Sequence, residues 1–221
     1  MIGRLLLRDL QMLLPGGKGS GARGGTMLPL LFFLAVAILY PFAVGPDAPL
    51  LARTGGGVIW IAALLAAILP LDRLIAPDLE LGVFDQLALR GVSEEAVVAI
   101  RILAHWLSFA PLLLLATLPA AALLGLGSET VRLVMIGLLA GTPGLAAIGV
   151  MIAALTASLR GGAALSGLML IPLAIPILIF GAGSLARGDM NGIAYAGAFS
   201  LLLVAIAPFA GGAAIRAARE G

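Results

Sequence analysis

The sequence predicts an all-α integral membrane protein: six transmembrane helices, an N-terminal interfacial amphipathic helix, and a cytoplasmic helical segment between spans two and three. Three observations carry that prediction. First, 62% of the 221 residues are hydrophobic and 11% are charged, with a mean hydropathy of +1.16. A soluble domain carries about 25% charged residues. Second, six charge-free stretches, about 27–44, 54–71, 102–128, 133–159, 161–186 and 190–215, each hold at least 18 residues. A helix rising about 1.5 Å per residue needs roughly 20 to cross the hydrocarbon core. Third, one long polar island, residues 72–101, interrupts this pattern. Strands of a membrane barrel would run about 10 residues with alternating polarity, and that alternation is absent. The chain reads as a single domain over 1–221.

At the N-terminus, Ile2, Leu5, Leu6, Leu10, Leu13 and Leu14 share one helical face while Arg4, Arg8 and Gln11 take the other. The spacing predicts an interfacial helix over 1–14, its arginines towards anionic headgroups. Arg8 and Asp9 interrupt the apolar residues, and Pro-Gly-Gly follows where a cleavage site would stand, so the segment does not read as a signal peptide. Residues 15–25, PGGKGSGARGG, form a flexible hinge. The GGKGS run lacks the spacing of a phosphate-binding loop and no strand precedes it.

The first two spans are short and sit upright or rely on flanking residues; the later four have length to spare for tilt. Lysine and arginine set the orientation. With the N-terminus inside, the cytoplasmic segments hold Arg4, Arg8, Lys18, Arg23, Arg73, Arg90, Arg101, Arg160, Arg216 and Arg219. The outside holds Arg53, Arg132 and Arg187. Ten against three is a positive-inside bias that places both termini and the polar island in the cytoplasm.

That island holds six of the eleven acidic residues: Asp72, Asp78, Glu80, Asp85, Glu94 and Glu95. Pro77 suits the first helical turn, and Asp78 and Glu80 complement the helix dipole. Leu79, Val83, Phe84 and Leu87 form an apolar stripe. Gly82 is a candidate break, Gly91 a natural stop, and Ser93 a cap for the helix that enters span three. An acidic loop is repelled by an anionic leaflet, so the segment is expected to dock on a protein.

Further on, Gly137 and Gly141 form a GxxxG face, which allows close helix approach, and Thr142-Pro143-Gly144 follows. Pro143 in the fourth span, with Pro172 and Pro176 in the fifth, marks candidate kinks. GDMNG at 188–192 is an outer turn.

Chemistry is sparse. Without cysteine there is no disulfide framework, CxxC pair or thiolate metal site, and no metal site is expected. The net charge of +2 comes from scattered arginines rather than a block that could track phosphates, so no nucleic-acid partner is expected. No catalytic constellation is visible and the chain reads as a non-enzyme. Its single histidine, His105, stands beside Trp106. It is either a haem contact, which would need a pocket and usually a second axial group, or an interhelix contact with Trp106 anchoring at the interface. The charge-free span interiors leave a proton relay nothing to work with, so energy for any transport comes from a partner.

The amphipathic N-terminal helix, six spans and a cytoplasmic helix after the second resemble the type-2 ABC exporter permeases. More narrowly, the chain is similar to the haem-exporter permeases that form the B subunits of cytochrome c maturation systems. The residues that carry the likeness are LLFFLAVAILYPFAVGPD (30–47), WIAALLAAILPLDRL (60–74) and Glu80-x-Gly82 with Asp85-Gln86-Leu87. LAHW (103–106), LLAGTPGLAAIG (138–149) and IPLAIPILIFGAG (171–183) add to it. Leu81 departs from the polar residue usual between the glutamate and glycine. The resemblance implies a multi-pass protein of the bacterial inner membrane, bound to a separate cytoplasmic ATPase, a haem-handling membrane subunit and a small accessory membrane protein. Together they deliver haem to a periplasmic chaperone. ATP belongs to the partner, and haem enters only as a transported or handed-over species. Coupling would fall to Asp78, Glu80, Gly82, Phe84, Asp85, Gln86 and Leu87. The alternative is a scaffold that assembles the haem-delivery complex and transports nothing.

Overall fold

The computed structural model describes residues 2–13, 27–159 and 161–220. The hinge 15–25, with Leu14 and Arg160, lies outside them. Every regular element among the described residues is helical: α1 (Ile2–Leu13), α2 (Met27–Val44), α3 (Ala48–Ile68), α4 (Ala76–Glu80), α5 (Val83–Leu89), α6 (Glu94–Leu123), α7 (Ser128–Thr156), α8 (Gly162–Arg187) and α9 (Asn191–Glu220). Six of them, α2, α3, α6, α7, α8 and α9, are long and apolar enough to cross a membrane. The chain is therefore a multi-pass membrane protein.

The charge-free stretches locate the spans, but the caps set their ends. α3 begins six residues before the apolar stretch because the Asp47 side chain accepts the Leu50 N–H at 3.0 Å and Pro49 sits in its first turn. Arg53 therefore lies inside the helix. α6 begins where Ser93 accepts the Ala96 N–H, with Glu94 and Glu95 in its first turn, so this span carries a charged extension that includes Arg101. Gly82 (φ 64°) separates α4 from α5, and Gly91 (φ 72°) closes the turn after α5. Both are left-handed positions that a Cβ would strain.

α7 is the hub and packs against α3, α6, α8 and α9. Lipid offers no hydrophobic drive between helices, so close packing over small residues must hold the bundle. Gly137 and Gly141 do this in an unexpected way. Instead of seating a neighbouring helix backbone, they form with Gly181 of α8 a socket for the Trp60 indole of α3. A Cβ at these three positions would stand 3.0, 2.8 and 2.3 Å from ring atoms. Three residues on, Gly144 makes the backbone contact between α7 and α9. Its Cβ would lie 2.8 Å from Ser200 Cα, and its N–H donates to Ser200 Oγ at 2.6 Å. Helical structure continues through Pro143, Pro172 and Pro176.

α1, the 76–93 connection and the C-terminal end of α9 gather at one end of the bundle, through the contacts described below. We call this the termini end. The opposite end carries the α2–α3, α6–α7 and α8–α9 connections.

Candidate functional site

The polar island folds as a short layer across the termini end. A 3-10 turn over Leu71–Arg73 leads into α4 and α5. The apolar stripe turns inward: Phe84 is 2% exposed, Leu87 is buried, and Leu79 and Val83 pack against the core. The outer face presents Glu80, Leu81, Asp85, Gln86 and Leu89. Leu81 is 72% and Leu89 89% exposed. Two large aliphatic side chains are thus exposed on a layer that also exposes two acids and an amide.

This layer is held from behind by two charge networks. In the first, Arg101 is the hub. Its Nε donates to Asp9 Oδ2 at 2.9 Å and its Nη2 to Asp78 Oδ2 at 2.6 Å and Asp9 Oδ1 at 3.3 Å, while Nη1 donates to the Leu74 carbonyl. Arg8 Nη2 donates to Asp78 Oδ1 at 2.5 Å. Arg101, Asp9 and Asp78 are 4%, 3% and 4% exposed. Burial pushes the Asp9 carboxyl up from its ordinary value, against the opposing pull of Arg101 and Arg8. α1, α4 and α6 are thereby joined through one quartet, three of its members buried and Arg8 half-buried.

In the second network, the last turns of α9 reach back. Arg219 Nε donates to Asp85 Oδ1 at 2.6 Å and its Nη1 to Glu94. Arg216 donates to Glu95 and, at 3.5 Å, to Glu94 Oε2. α5, the start of α6 and the end of α9 form a second connected unit, more exposed than the first.

The structure divides the residues expected to couple into a buried set, Asp78, Phe84 and Leu87, and an exposed or half-buried set. Asp78 is not offered to a partner: a buried carboxylate between two guanidiniums is already satisfied. Phe84 and Leu87 are not offered either, because they supply the apolar underside that seats α5. Glu80, Asp85 and Gln86 remain on the surface, and Gly82 is half-buried at the break between the two helices. On α1, Arg8 turns towards Asp78 rather than outward, and Leu5, Leu6, Leu10 and Leu13 pack on the protein core.

His105 is fully buried, 4.9 Å from the Phe109 ring and against Gly149, where a Cβ would lie 3.6 Å from His105 Nε2. Neither ring nitrogen has a hydrogen-bond partner among the described residues. Trp106 is an interhelix tie: its Nε1 donates to Thr142 Oγ1 on α7 at 3.0 Å. Thr142 and Gly144, on either side of Pro143, thus bind α6 and α9 respectively.

Sequence reasoning missed Asp9 and Arg101 as members of a site. One reads as a blemish in an amphipathic helix and the other as the edge of a span. A carboxylate on an apolar helix face and an arginine about two turns inside a helix start were the available signals.

A family model described as CcmB protein matches residues 1–218. Heme exporter protein B of Rhodobacter capsulatus is 43% identical over 218 residues, covering 96% of this chain and 97% of the relative. The protein of that name from Paracoccus denitrificans is 41% identical over 217 residues, with the same coverage. That of Escherichia coli K12 is 39% identical over 193 residues, covering 85% and 88%. The chain belongs to the CcmB protein family.

Proposed function

We propose that this CcmB-family chain is the transmembrane permease subunit of an ABC-type haem-export complex, driven by a separate cytoplasmic ATPase. The observation that carries the reading is the outer face of α4–α5. Glu80, Leu81, Asp85, Gln86 and Leu89 lie exposed on a layer braced from behind by two ion-pair networks. Large exposed aliphatics rimmed by polar groups are the composition of a protein contact. The bracing means that a push on this face reaches α1, α6 and α9 together.

The arginine distribution supports a cytoplasmic position for the termini end, and hence for the docking face, in the bacterial inner membrane. The relatives' name supports haem as the species handled. A haem-handling membrane subunit and a small accessory membrane protein complete the complex, which serves a periplasmic haem chaperone. The role of this chain is mechanical. The α4–α5 layer takes up the ATPase stroke and passes it to the spans.

The test compares the affinity-purified complex carrying wild-type chain, Glu80→Lys/Gln86→Ala, or Glu129→Lys at the opposite end. Co-purified ATPase and ATP turnover are both scored. Coupling at α4–α5 predicts that the ATPase is lost or uncoupled in the double variant and kept in the Glu129 variant. A nucleotide-binding subunit absent from every preparation would overturn the exporter reading. An ATPase bound equally well, with turnover that never depends on this chain, would leave a scaffold.

A further inference from the structure

We infer that the end of the bundle opposite the termini carries a groove for an anionic phospholipid, its phosphate seated on Arg53. The groove is about 740 Å³ and runs along α3 between the ends of α2, α7 and α8, lined by Tyr40, Arg53, Thr54, Gly57, Ile61 and Leu185 among others. Its polarity is graded. Arg53 and the hydroxyls of Tyr40, Thr54 and Thr130 stand near the end of the bundle, while Val58, Ile61 and Ala182 lie deeper. Arg53 is five residues from the start of α3, roughly 8 Å along its axis at 1.5 Å per residue. Ile61 lies a further 12 Å or so inward by the same rise. That separation matches a headgroup followed by an acyl chain. Ile61 is 48% exposed, so the deep part opens sideways to hydrocarbon, as an occupant drawn from the bilayer requires.

Charge supplies the selectivity. At this end Arg132 pairs with Glu129 at 2.5 Å and Arg187 with Asp189 at 3.4 Å. Asp47 is engaged in capping α3. Among the described residues Arg53 alone at this end has no carboxylate within ion-pair distance. A guanidinium beside low-dielectric walls attracts an anion, and its planar fork matches phosphate oxygens. The groove is also preorganised. Tyr40 Oη donates to Thr54 Oγ1 at 2.9 Å, and Thr54 Oγ1 donates to the Leu50 carbonyl at 2.7 Å. These bonds tie α2 to α3 and leave the Tyr40 oxygen free to accept. Gly57 keeps the floor open, since a Cβ there meets nothing within 4 Å.

The experiment incorporates the purified chain in phosphatidylcholine nanodiscs and titrates in phosphatidylglycerol. Lipid retained after detergent extraction is quantified by native mass spectrometry. Wild type is expected to retain phosphatidylglycerol over phosphatidylcholine. Arg53→Gln should weaken that retention about tenfold or more, the loss of a charge-assisted bond pair, with Arg53→Lys intermediate and Arg132→Gln unchanged. Gly57→Leu fills empty space, so it should fold and still displace the acyl chain. Three results would overturn the inference: equal retention of both lipids by wild type, undiminished retention by Arg53→Gln, or displacement of phosphatidylglycerol by equimolar haem. The last would give the groove to a carboxylate-bearing cargo. None of these outcomes bears on ATPase coupling at the termini end.

Discussion

Replacing Arg101 by leucine should cost far more than any other single arginine change in the chain. The guanidinium donates to Asp9, Asp78 and the Leu74 carbonyl, and all three charged residues are at most 4% exposed. Leucine leaves Asp9 without its principal partner and Asp78 with Arg8 alone, while the Leu74 carbonyl loses its donor. Removing one member of a buried pair costs about 3–5 kcal/mol, because the other charge stays buried and uncompensated. For a chain of this size that is a fall in Tm of about 6–20 °C. The comparison is Arg132→Leu, whose pair with Glu129 is 53% and 67% exposed and so is screened by solvent and contributes little.

The assay is thermal unfolding of both variants in one detergent, followed by circular dichroism. A third variant, Arg101→Leu with Asp9→Leu and Asp78→Leu, removes the buried charges together. It should recover most of the lost stability while severing the tie between α1 and the α4–α5 layer. In the complex it should therefore stay folded but lose ATPase coupling. The reasoning is refuted if Arg101→Leu and Arg132→Leu melt within about 2 °C of one another, the size of less than 1 kcal/mol here.

Gly181→Ala drives a methyl to within 2.3 Å of the Trp60 ring. It should destabilise by about 1–3 kcal/mol through overpacking, measured by the same melts. In a Trp60→Leu background the same change should cost almost nothing, and a full cost there would disprove the socket. His105→Leu should be neutral or stabilising, since it deletes a buried imidazole whose two nitrogens have no hydrogen-bond partner among the described residues. A drop in Tm of several degrees would show that the ring has a polar partner. Unchanged stability with lost haem delivery would instead assign it a functional contact.

The termini end shows where sequence reading stops. The α4–α5 break at Gly82, the stop at Gly91 and the Ser93 cap were all legible, because each depends on residues within one or two turns. The inward stripe of Phe84 and Leu87 was legible as a stripe. Its direction was not, since an amphipathic face reads alike whether a partner or the chain itself covers it. The chain's own core covers it here: Phe84 and Leu87 lie buried beneath the layer, and Asp78 sits in the ion-pair network behind it.

The sequence by itself determined what local spacing and the solvent dictate. Long charge-free runs must be membrane helices because hydrocarbon leaves backbone polar groups no partner but their own helix. Glycines and caps mark where those helices turn. The tertiary structure decided which distant groups meet. Arg101 reaches Asp9 across 92 residues, Arg219 reaches Asp85 across 134, and Trp60 drops into glycines from two other helices. Such meetings depend on crossing geometry and on side chains pointing to one depth, and no periodicity in a single helix records them. That is why the spans could be read from composition, while the quartet that braces the α4–α5 layer emerged only from the folded bundle.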